Sequence, residues 1–130
     1  MRAITALIAL VAVAAATVSA HHYTSWIATL HDDGNSVTFI NFPDHNCGGD
    51  SYNVTNPLNS CQVAELPIID KKYTWRGGSN SSAVWFENFN NMECSGSSIL
   101  TRTYTPLNEC QNCPWHWPID CKQGPPIMQL

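Results

Sequence analysis

Charged side chains are scarce in this chain. Six Lys and Arg and ten Asp and Glu make up 12% of 130 residues and leave a formal charge of −4. There is no basic run, which excludes binding of nucleic acid or anionic lipid through phosphate contacts. Sustained 3.6-residue apolar spacing is missing too, so no amphipathic helix is expected; the apolar stretch 63–69 is interrupted by Pro67 and allows at most a single helical turn. Beyond the first twenty residues nothing is uniformly apolar over the length of a membrane span. Nucleophile-elbow, zinc-protease and phosphate-loop motifs are absent. The histidines are scattered, and Asp32, Asp33, Asp44, Asp50, Asp70 and Glu109 fall in or beside inferred turns, so the chain is expected not to be an enzyme.

What is present points outside the cell. Residues 1–20 carry a basic Arg2, an apolar run and the small-residue ending Val18-Ser19-Ala20, which read as a cleavable secretory signal. Cleavage would remove one of the few cations, leave His21 first and make the mature chain more acidic. All six cysteines, Cys47, Cys61, Cys94, Cys110, Cys113 and Cys121, lie after that segment, and an even number in an oxidising compartment predicts a disulfide framework. Asn53-Val54-Thr55 and Asn80-Ser81-Ser82 are sequons, so Asn53 and Asn80 are candidate glycan acceptors. The expected product is a secreted, extracellular monomer.

The chain also repeats itself. Val37-Thr38-Phe39-Ile40-Asn41-Phe42 leads to Cys47 with the spacing by which Val84-Trp85-Phe86-Glu87-Asn88-Phe89 leads to Cys94. Pro57-Leu58-Asn59-Ser60-Cys61-Gln62 then reappears as Pro106-Leu107-Asn108-Glu109-Cys110-Gln111. A period of just under fifty residues, occurring twice, describes two supersecondary units packed on each other and excludes a long solenoid. Equivalent units imply equivalent bonds, which predicts Cys47 with Cys61, Cys94 with Cys110, and Cys113 with Cys121.

Each unit reads as strands and turns. Residues 23–30 and 37–42 are strands around the turn Asp32-Asp33-Gly34-Asn35; residues 73–76 and 84–89 are their counterparts around Gly77-Gly78-Ser79-Asn80. Alternation puts Val37 and Phe39, and Val84 and Phe86, on one face each. The matching face is the expected core, and the differing face, with Thr38 and Ile40 in one unit and Trp85 and Glu87 in the other, is the expected surface. Cys-Gly or Cys-Ser-Gly bends follow, then β-prone stretches ended by Pro57 and Pro106.

The run from Val37 through Cys47-Gly48-Gly49-Asp50-Ser51-Tyr52, and its copy from Val84 to Gly96, resembles the paired Greek-key motifs of the βγ-crystallin superfamily. The closer likeness is to small, secreted, cysteine-rich fungal proteins and killer toxins of that architecture, over roughly residues 37–121. The resemblance implies an all-β fold of two repeated Greek-key-like units, about 24–70 and 71–123, packed as one small disulfide-stapled β-sandwich over 21–123, with 124–130 a flexible tail. It further implies a non-enzymatic binding, effector-like or toxin-like protein whose partner is an extracellular protein or glycan. The alternatives are a carbohydrate-binding module that uses exposed Trp and a copper protein that uses His21.

No cofactor is expected. Residues 32–37 nearly fit the family's calcium signature through Asp32 and Asp33, but calcium wants six or more oxygens and a hairpin turn is the preferred reading. An N-terminal His21 chelates copper only with a further histidine, and none stands in a motif for it. Cys110-Gln111-Asn112-Cys113 has redox or zinc spacing but no supporting context, so a bridge end is preferred. Trp85, Trp115 and Trp117 are the candidate contact residues; large aromatics in a small β protein are otherwise core.

Overall fold

The computed structural model describes residues 23–66, 71–113, 121 and 123–125. The expected signal segment, His21, Trp115 and Trp117 lie outside these residues. The strands are β1 (Ser25–Leu30), β2 (Ser36–Phe42), β3 (Tyr52–Pro57), β4 (Gln62–Leu66), β5 (Lys71–Ser79), β6 (Val84–Phe89), β7 (Leu100–Tyr104) and β8 (Gln111–Asn112), with a 3-10 turn at His45–Cys47. They form two four-stranded antiparallel sheets in the orders β3-β2-β1-β8 and β4-β5-β6-β7. No helix among the described residues is long and apolar enough to cross a membrane.

Alternation along the two central strands builds the core. Val37, Phe39, Val84 and Phe86 are each 0% exposed, as their shared parity requires. Asn41 and Asn88 end the two rows, also buried. The Phe39 and Phe86 rings meet across the sheets at 6.4 Å, with Tyr104 edge-on to both at 5.0 and 6.1 Å. Trp26 packs edge-on to Phe39 and Trp75 to Phe86, at 6.0 and 5.8 Å. These two indoles are inner-face residues, the ordinary fate of Trp in a small β protein.

The units match in their polar joints as well. The buried hydroxyl of Ser25 donates to the Asp44 carbonyl and that of Thr74 to the Asn91 carbonyl, tying each first strand to the bend that follows the second. Cys47 and Cys94 sit in those bends at φ 58° and 51°, and Gly49 and Gly96 follow at 86° and 73°, where glycine is favoured. Further on, Asn59 N donates to Gly77 O and Asn108 N to Ala28 O, both at 2.8 Å. Each of these bonds carries a loop of one unit onto the first strand of the other.

That crossing is where the structure departs from the sequence reading. The fourth strand of each unit pairs with the other unit's first strand, β4 with β5 and β8 with β1. Neither exchanged strand is anticipated: β4 occupies the stretch read as at most one helical turn, yet Ala64 is buried between exposed Val63 and Glu65, the period of a strand. The disulfides follow the strands. They join Cys47 to Cys110 and Cys61 to Cys94, correcting the internal pairing, while Cys113 to Cys121 is as expected. β8 carries Cys110 to the sheet of Cys47, and β4 carries Cys61 to that of Cys94. No cysteine is free.

Two further expectations change. Gly77 and Gly78 are strand residues, and the turn falls at 80–83, where Asn80 Oδ1 accepts from the Ser82 and Ala83 amides, both at 2.9 Å. Their lack of a side chain serves close approach: a Cβ on Gly77 would collide with Leu58 Cδ2 and meet Phe86 Cε1 at 3.0 Å on the inner face. The tail does not begin as a flexible one either. Gly124 and Pro125 are buried, and Tyr104 Oη donates to Gly124 O at 3.2 Å.

Candidate functional site

The outer face of the second sheet is built by the same alternation that fills the core. With Val84 and Phe86 turned inward, Trp85 and Glu87 of β6 face out. Register puts Gly78 beside Trp85 and Arg76 beside Glu87 on β5, and Thr103 and Thr101 beside them on β7. Trp85 is half-buried, and what it covers is Gly78: a Cβ there would lie 2.6 Å from Trp85 Nε1, 2.8 Å from Cε2 and 2.9 Å from Cζ2. The indole is laid over the bare backbone of the neighbouring strand. Glycine in a strand interior costs about 0.5–1 kcal/mol, so this position gives up intrinsic strand stability for the seat of one indole.

Polar groups flank the indole. Arg76 is exposed and Glu87 half-buried. Among the described residues the ion pair is Lys72 with Glu65, 3.4 Å apart on the same face; Arg76 and Glu87 pair neither with each other nor with a third group. A guanidinium with only donors and a carboxylate with only acceptors therefore stand side by side next to Trp85, with the Thr101 and Thr103 hydroxyls beyond. Val63 of β4, 52% exposed, extends the face toward the other edge.

The other residues singled out from the sequence scatter. Asp32 and Asp33 lie in an exposed turn, where Asp33 Oδ1 accepts from the Asn35 amide at 2.9 Å, the Asx bond of a plain turn. Among the described residues no three of His, Cys, Asp and Glu come together as a metal site. Asn53 is exposed on the edge strand β3, and its Thr55 shares a hydrogen bond of 2.8 Å with Thr38. Asn80 is exposed in its turn, its amide oxygen also accepting from the Ser82 hydroxyl at 3.1 Å. Cys110 and Cys113 end separate disulfides.

Titration is perturbed elsewhere. Burial, with the neighbouring phenols of Tyr52 and Tyr104, holds the Tyr23 hydroxyl well above the usual phenol range, against an opposing hydrogen bond from Gln123. Burial also raises Tyr52, whose ring meets that of Tyr23 edge-on at 6.3 Å.

Sequence reasoning reached Trp85 by strand parity but missed Gly78, Arg76 and Glu87 as its setting. The signal was a Gly-Gly pair one short turn before a Val-Trp-Phe strand, legible only once the pair is taken as strand and the register set. No family model, curated protein or solved structure matches the chain.

Proposed function

We propose that this is a small secreted protein that acts outside the cell by surface contact and without catalysis, through the outer face of its second sheet. The observation that carries the reading is Trp85 seated on Gly78, with Arg76 and Glu87 beside it in no ion pair among the described residues. Three disulfides in a small domain support export, because such bridges persist in oxidising compartments. The spatial orders β8-β1-β2-β3 and β4-β5-β6-β7 support reading each unit as a Greek key whose fourth strand is exchanged with its twin. On that basis the likeness to the βγ-crystallin superfamily and its small fungal secreted members is kept as the proposed kinship, with an effector-like or toxin-like role.

The test is retention of labelled protein on washed cell surfaces from a panel of microbial and plant sources. Retention that falls for Trp85→Ala and survives for a distant outer-face variant, Thr38→Ala, is expected. Equal retention of both variants, or turnover of a substrate that depends on one His or carboxylate, would overturn the reading.

A further inference from the structure

We infer that the face around Trp85 binds a neutral polysaccharide, one pyranose ring lying against the indole; this rests on the contact face proposed above and assigns its ligand. A pyranose presents axial C–H groups on its flat side and hydroxyls around its rim. The flat side matches an aromatic surface, and the rim needs donors and acceptors in the plane around it. The second sheet supplies both. Trp85 is laid across Gly78 instead of standing up from the sheet, since any side chain at residue 78 would collide with ring atoms at 2.6–2.9 Å. Arg76 offers donors, Glu87 acceptors and Thr103 either, all in register with or next to Trp85, while the Thr101 hydroxyl already shares a hydrogen bond with Ser98.

Charge selects the class of sugar. Beside the indole one cation faces one anion, directly cross-strand, and neither is taken up by an ion pair among the described residues. The Lys72–Glu65 pair on the same face is likewise balanced. An anionic polymer would meet Glu87 and a chain of net charge −4, and among the described residues of this face Lys72 is already paired with Glu65, which leaves Arg76 to offset them. Uncharged hydroxyls can use the guanidinium and the carboxylate together, accepting from one and donating to the other.

The equivalent place on the first sheet shows what is special here. Thr29 and Thr38 stand where Gly78 and Trp85 stand, and Ile27 and Ile40 where Arg76 and Glu87 stand. There the Thr38 hydroxyl is already engaged, with His31 Nε2 at 2.7 Å and Thr55 at 2.8 Å. On the second sheet Thr101 is engaged too, its hydroxyl 3.1 Å from that of Ser98, but Arg76 and Glu87 stand beside the aromatic ring in no ion pair among the described residues.

The experiment is native affinity electrophoresis of the full chain in gels holding hydroxyethyl cellulose, a β-1,3-glucan, galactomannan or, as the anionic control, polygalacturonate. Retardation in at least one neutral gel is expected, weakened roughly tenfold or more in apparent affinity by Trp85→Ala and several-fold by Glu87→Gln. Glu87→Gln keeps the shape of the side chain and guards against a folding defect. The indole N–H resonance of Trp85 should move on adding the matching oligosaccharide while those of buried Trp75 stay. Retardation confined to polygalacturonate overturns the neutral class. No retardation in any gel, with Trp85-dependent retention on cell surfaces intact, overturns the sugar and leaves the contact face standing. Loss of both overturns the two together.

Discussion

The two units agree on the inside of the sandwich and disagree on the outside. Inward, Val37, Phe39 and Asn41 have their counterparts in Val84, Phe86 and Asn88, all essentially solvent-free, and Leu58 and Leu107 close the core from equivalent loops. Outward, a row of threonines and isoleucines in the first sheet is replaced in the second by Gly78, Trp85, Arg76 and Glu87. Packing holds the inner positions to one solution, because a change of a single methylene in a close-packed core is felt. The outer positions carry no such constraint. There Thr38, bonded to His31 and Thr55, gives way to a seated aromatic whose neighbouring charges form no ion pair among the described residues, a divergence that the core does not forbid.

The strongest way to break this comparison is through the core. Phe39→Ala and Phe86→Ala should each cost about 3–5 kcal/mol, as buried aromatic truncations do, and nearly the same amount as each other. Urea melts of the two variants check this, and a gap of several kcal/mol between them would mean that the units are not equivalent supports of one core. The crossed disulfides come next. Cys47–Cys110 spans 63 residues and Cys61–Cys94 spans 33, so replacing either pair by Ser should cost about 4 kcal/mol by the chain-entropy account, slightly less for the shorter loop. Peptide mapping of the unreduced protein should return these pairs; Cys47 with Cys61 would contradict the strand exchange.

The exchange also explains what the sequence did and did not disclose. The repeat, the central strands and the inward set were legible because period-2 alternation is a local signal and the two copies reinforce each other. Trp85 was legible as the outward aromatic on the same ground. The pairing of cysteines was not. Two equivalent units allow equivalent bonds within units or between them, and only the long-range placement of β4 and β8 decides. Both strands are short, five and two residues, and neither carries an alternating apolar run long enough to declare itself. Gly77 and Gly78 misled for a related reason: glycine marks either a turn or a close approach, and which one holds depends on Phe86, Leu58 and Trp85 arriving from elsewhere in the chain.

The ends of the sandwich differ as well. At the first sheet, Tyr52 lies opposite Asn41 and meets Tyr23; at the second, the residue opposite Asn88 is Leu100, 53% exposed. The aromatic cover ties stability to alkaline pH. Tyr23 keeps its proton in the folded chain beyond the pH at which an unfolded tyrosine, with a pKa of about 10, releases it. Above that value the unfolded state binds fewer protons, so stability present at lower pH is lost as pH rises, by at most about 1.4 kcal/mol per unit and less for a half-buried group. Tyr23→Phe should flatten the fall between pH 10 and 12 without changing the neutral melt by much. An unaltered alkaline profile would remove Tyr23 from the account.

The smallest effect expected is also the sharpest test of the outer face. Thr29 and Thr38 are cross-strand partners in the first sheet as Gly78 and Trp85 are in the second, so the first sheet can be copied onto the second. Gly78→Thr alone drives a Cβ into Trp85 ring atoms at 2.6–2.9 Å and should cost about 1–3 kcal/mol, as overpacking does. Trp85→Thr alone gives up a half-buried indole and leaves glycine bare in a strand, a loss of about 1 kcal/mol. Together the two changes restore a side-chain pair the fold already accepts. The double variant should melt within about 0.5–1 kcal/mol of the parent, the single costs failing to add because the residues touch. Retention on cell surfaces should be absent from it, since the seat and its occupant are both gone. A double variant as unstable as the sum of its parts would mean that the indole lies on Gly78 to hold the sheet together; a stable one without retention would mean that it lies there to be met from outside.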